Sequence, residues 1–178
     1  MAKSGLGHLW RALDFKLSEV LQIDLGVGVL AAGAAVAMAL NEPAALLRAV
    51  PVAAGLVGVI IGAVLAGVAV QAAFMDQAFL RKLRAINRDP VRYVAPFLFT
   101  GVTGVFGMLG LIVLSTLSAE MNVAVLAVTG GFGALFTVWS LTRILHCLAV
   151  LVQFLGLKMD AIDVPDDIDI PRRESAVR

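Results

Sequence analysis

The chain has 178 residues, 60% of them apolar, with a mean hydropathy of +0.94 and a net charge of +1. That balance gives no electrostatic footprint for a nucleic-acid partner, and too few residues lie outside the apolar runs to build a second core. The single Cys147 rules out a disulfide within the chain.

Residues 1–24 come first. Leu6, Leu9, Leu13, Leu17, Val20 and Leu21 recur at three- and four-residue spacing, with Arg11, Asp14, Ser18 and Gln22 on the opposite stripe. This is the pattern of an amphipathic helix, with Trp10 placed for the headgroup region. The expectation is an interfacial arm that lies along the inner leaflet and then turns into the first span. It is amphipathic rather than a short basic leader, so cleavage is not expected.

Four runs then contain no Asp, Glu, Lys or Arg: Leu25–Leu40, Pro51–Met75, Ala95–Leu117 and Val123–Thr142. A bilayer admits helices because they satisfy their own backbone hydrogen bonds, and about 20 apolar residues cross its hydrocarbon core. The sequence therefore predicts an all-α integral membrane protein with four transmembrane helices in two hairpins, over residues 25–40, 51–75, 95–117 and 123–145. Asn41-Glu42-Pro43 breaks the first hairpin, and Ser118–Asn122 makes a tight turn in the second. Of the 14 Lys and Arg residues, 12 fall in the arm, the Asp76–Val94 connection or the tail over 158–178. The positive-inside rule then puts both termini in the cytoplasm, with a bacterial cytoplasmic membrane as the expected location.

The fourth run is too long for its task. Apart from Arg143, Val123–Leu157 carries no charge, and as a helix it would measure about 50 Å, so residues 146–157 are expected to extend into the cytoplasm. Ala134, Thr137, Leu141, Ile144, Leu148, Leu151 and Leu155 step by three and four, a seam suited to a neighbouring helix or subunit. Beyond it, Asp160–Ile170 carries five Asp and reads as a solvated acidic tail.

Four groups of residues stand out. Gly58 and Gly62 in the second run, and Gly104 and Gly107 in the third, permit the close backbone approach on which helix association in lipid depends. With Leu148, Leu151 and Leu155 they are the expected packing or oligomer-interface positions. Trp139, Thr142, Arg143, His146 and Gln153 fall within an arc of about 100° on the fourth helix. Such a stripe either snorkels to the headgroups or lines an inner vestibule that favours anions. Thr100 and Thr103 share a small-residue face that lines a path or packs with its hydroxyls turned to its own backbone. Arg81, Lys82, Arg84, Arg88 and Arg92 form a basic patch for anionic lipid, a cytosolic protein or the acidic tail.

Walker, nucleophile-elbow and metal-cluster patterns are missing, so no enzymatic activity, cofactor or metal is expected. The leading expectation is a small homo-oligomeric pore or channel, favouring anions and gated by a cytosolic partner. The alternative is a non-conducting membrane anchor or accessory subunit of a larger membrane complex.

Overall fold

The computed structural model describes residues 23–77, 79–80 and 91–162. The arm up to Gln22, the basic residues Arg81, Lys82, Arg84 and Arg88, and the acidic tail beyond Ile162 lie outside the described residues, as does the side chain of Arg92. No strand occurs among the described residues, and four helices are long and apolar enough to cross a membrane.

Helix α1 spans Asp24–Asn41 and stops where its last carbonyls find other donors. The Glu42 N–H donates to Met38 O at 2.7 Å, and Asn41 Nδ2 donates to Ala37 O at 2.8 Å. Glu42 alone separates α1 from α2, Pro43–Phe74. Pro43 opens α2 at a position whose N–H has no helical partner in any case. The helix thus begins well before the uncharged run at Pro51, and both Arg48 and Pro51 lie within it. Helix α3 covers Val91–Ser115 and begins immediately after Pro90. The turn into α4, Val123–Ile162, is closed by Asn122, whose Oδ1 accepts the Ala124 N–H at 2.9 Å. At 1.5 Å per residue the four helices measure about 27, 48, 37 and 60 Å. Helix α4 is unbroken for 40 residues, so the expected extension past the apolar run belongs to one continuous rod.

Consecutive helices run in opposite directions, and α4 is the hub. It packs on the other three, while α1 rests chiefly on α4. Near the α1–α2 turn the core holds Ala39, Leu46, Val57, Leu111, Leu114 and Leu126. Val64, Phe97 and Cys147 fill the next layer. At the far end Phe79 meets Phe154 edge-on, with ring centroids 5.5 Å apart, and Met75 and Tyr93 close around them. Lys158 ties α4 to this end of α2. Its Nζ donates to Phe74 O, one of the last carbonyls of α2, and to Asp76 Oδ2, each at 2.8 Å.

The glycines divide into two groups. On α3, a methyl group at Gly107 would sit 3.0 Å from the Thr137 backbone nitrogen, and one at Gly110 would sit 2.8 Å from Gly133 Cα. There the α3 and α4 backbones approach as closely as side chains permit. Gly104 has looser contacts, with Ile61 the nearest at 3.5 Å. By contrast Gly58 and Gly62 are exposed, and a methyl group added at either would meet nothing within 4 Å, so the GxxxG of α2 packs on no other described helix. The seam on α4 divides similarly: Leu151 packs beside Val64, Phe97 and Cys147, Leu155 is half-buried, and Leu148 is exposed.

Gly110→Ala is therefore expected to destabilise the bundle by about 1–3 kcal/mol through overpacking. Gly58→Ala is expected to be neutral or stabilising by up to about 1 kcal/mol, because it only improves helix propensity. Denaturant titration of the two variants in mixed micelles checks both.

Candidate functional site around Arg143

Arg143 lies halfway along α4, in the middle of the bundle's length, and its side chain is only 2% exposed. Two elements make room for it. Helix α1 begins there, bringing Asp24 Oδ2 to 3.6 Å from Arg143 Nε, and α3 supplies Phe99, whose ring centroid lies 4.8 Å from the guanidinium carbon. Trp139, one turn away on α4, meets the same Phe99 ring edge-on at 5.5 Å. The guanidinium is thus held by a carboxylate and the face of an aromatic ring, two features that stabilise a cation removed from water. Asp24 is 32% exposed and forms the open side of the pair. As an acid in the first turn of α1 it also faces that helix's positive dipole end, where Ile23 offers no side-chain cap.

The pairing is electrostatic and not hydrogen-bonded. At 3.6 Å the Nε–Oδ2 contact is beyond hydrogen-bonding distance, and among the described residues neither Nε nor Nη2 of Arg143 has a hydrogen-bond partner. The indole Nε1 of Trp139 is likewise buried without an acceptor among them. Several donors are therefore desolvated around one carboxylate, which makes the cluster sensitive to loss of Asp24.

Polar residues nearby turn inward to their own helices. Thr100 Oγ1 donates to Pro96 O at 2.9 Å and lies 3.3 Å from the buried Cys147 sulfur. Thr103 Oγ1 bonds Thr100 O at 2.9 Å, Ser140 bonds Thr137 O at 2.8 Å and Thr142 bonds Trp139 O at 2.9 Å. Each hydroxyl is spent on a carbonyl three or four residues back, the bond a helix offers when no other partner is near. Gln71, fully buried on α2, donates to Tyr93 O at 3.2 Å and helps tie α2 to the start of α3.

The stripe singled out on α4 therefore divides. Arg143 points into the bundle, Trp139 and Thr142 are half-buried, and His146 and Gln153 are exposed. Thr100 and Thr103 are both buried, and Thr100 reaches across to Cys147 of α4. Asp24 and Phe99 are the site residues that sequence reasoning missed. Asp24 carried one signal, a carboxylate at the margin of the first apolar run. Its partner lies far away in the sequence, and only the antiparallel register of α1 on α4 joins them.

No protein-family model, no curated protein and no solved structure matches this chain.

Removing one member of a buried pair leaves the other uncompensated. Asp24→Asn is expected to destabilise the bundle by about 2–3 kcal/mol, less than for a fully buried pair because Asp24 is one-third exposed. The double variant Asp24→Asn with Arg143→Gln is expected to cost less than the sum of the two single changes. A double-mutant cycle on the unfolding free energy checks both.

Proposed function

We propose that this is a four-span integral membrane protein with both termini in the cytoplasm, acting as a non-conducting anchor or accessory subunit of a membrane complex. In this reading the four helices hold three cytoplasmic elements, the amphipathic arm, the basic connection and the acidic tail, and these recruit or steady a partner. The location proposed is a bacterial cytoplasmic membrane, on the strength of the charge asymmetry around the apolar runs.

One observation carries the reading. Arg143, the one Lys or Arg between Val123 and Leu157, turns into its own bundle against Asp24. A cationic vestibule would need that charge facing water. Further support comes from the α3–α4 contact, where backbone meets backbone at Gly107 and Gly110. The pore reading keeps one observation in its favour: His146 and Gln153 are exposed on α4, and several copies could gather them around an axis.

Liposomes carrying the purified protein are expected to pass neither chloride nor potassium faster than empty vesicles. Arg143→Gln is expected to leave that baseline unchanged. Deleting residues 163–178 is expected to release a cytosolic partner while the truncated chain stays in the membrane fraction. A chloride leak that Arg143→Gln or His146→Ala reduces, from a particle of four or more subunits, overturns the anchor in favour of the pore.

A further inference from the structure

Helix α1 covers only half of the α4 face on which it lies. Asp24 meets Arg143, Gly28 packs against Trp139 and Leu135, and Gly131 packs against Val36 and the Ala32 carbonyl. The register is antiparallel and regular: four residues back along α1 correspond to four residues onward along α4. Past Arg143 the same face continues for another 19 residues of α4, about 28 Å, without α1 beside it. There His146, Ala149, Gln153 and Gly156 are exposed, with Val150 and Leu157 half-buried at the flank.

We infer that this vacant face is the docking site of the chain's own N-terminal arm, which continues α1 inward along α4 instead of lying flat on the leaflet. Three observations select this occupant. The first is the backbone at the junction: Ile23 is already helical, with φ −105° and ψ −50°, and its carbonyl accepts the Val27 N–H at 3.0 Å. A chain leaving α1 along its axis needs no turn at this point.

The second is phase. Counted back from Gly28 at about 100° per residue, Leu21, Leu17, Trp10 and Leu6 all fall within about 40° of the line that α1 turns toward α4. The apolar stripe of the arm is thus an extension of the packed stripe of α1, with Asp24 between them.

The third is length and charge. The 22 residues before Ile23 measure about 33 Å as a helix, close to the overhang of α4. Carried along, the register sets Leu21 against His146, Leu17 against Val150 and Trp10 against Leu157. In the sequence, Lys3 at the far end of that register is matched by the acidic run that begins at Asp160. This placement covers His146 and so goes with the anchor reading, but its test is the position of the arm and not ion flux.

Cysteine pairs in the full-length Cys147→Ala chain, oxidised in native membranes, test it. L21C/H146C and L17C/V150C are expected to form disulfides within one chain, seen as a mobility shift on a non-reducing gel. E19C/V150C, with Glu19 on the far side of the arm, is expected to give none. V36C/G131C, across the observed α1–α4 contact, reports that the bundle is folded. If that control closes and the in-phase pairs close no better than E19C/V150C, the inference fails. Disulfides joining two chains would assign the face to a second copy and also overturn it. So would strong quenching of Trp10, in a Trp139→Phe chain, by lipids brominated near the headgroup, which would place the arm in the leaflet.

Discussion

A guanidinium inside an apolar bundle has to be answered by something, and here the answer is a carboxylate on the first residue of α1. Desolvating such a pair costs several kcal/mol per ion, and the attraction at close range recovers roughly that amount. The Asp24–Arg143 contact therefore adds little net stability, but it discriminates strongly. A slip of one residue along α1 turns Asp24 by about 100° and leaves Arg143 alone in low dielectric, at a cost well above anything α1 gains elsewhere. The rest of the α1 surface toward α4 is small: Gly28, Ala32, Ala35 and Ala39 bury little area each and would tolerate several registers. The charge pair selects one of them.

Once α1 is fixed, the other attachments to α4 follow a different physics. Between α3 and α4 the discriminating feature is the missing side chain at Gly107 and Gly110, which lets two backbones meet and brings many weak contacts within range. At the far end it is aromatic packing and a cation: Phe79 and Phe154 edge to face, and Lys158 bonded to the end of α2 and to Asp76. Helix α4 thus takes each neighbour by a distinct device. Three unlike contacts on one rod resist exchange of neighbours better than three similar ones would, because no helix satisfies another's site.

Much of the helical layout was legible in the sequence. Uncharged runs of this length, interrupted by Asn41-Glu42-Pro43 and by Ser118–Asn122, leave few alternatives to four helices, and the breaks fall at those residues. The polar stripe on α4 was legible as a stripe but not as a boundary. Residues within about 100° of arc share a side of one helix, yet the edge of the bundle interior runs through that arc, leaving Arg143 inside and His146 outside. Which side each residue takes depends on where α1 and α3 lie, and periodicity along α4 carries no information about that. The glycines teach the same lesson. Gly58-x-x-x-Gly62 is the more recognisable motif, but Gly107 and Gly110 make the close approach, because the motif states only that a helix can be approached.

Asp24 sits level with Arg143, halfway along α4, so the described length of α1, about 27 Å, lies beside only one half of an α4 of about 60 Å. In the membrane orientation proposed above, α1 barely crosses the hydrocarbon, and the lower half of α4 carries a face that its upper half has already shown to accept a helix. A bare helical face in or near the headgroups is costly wherever its backbone and apolar side chains lack a partner. The segment best placed to cover it is the one leaving α1 at that level, since its local concentration is set by a covalent link and not by diffusion. One buried arginine thus sets the level of Asp24 on α4, and with it the point from which the inferred docking of the arm would start.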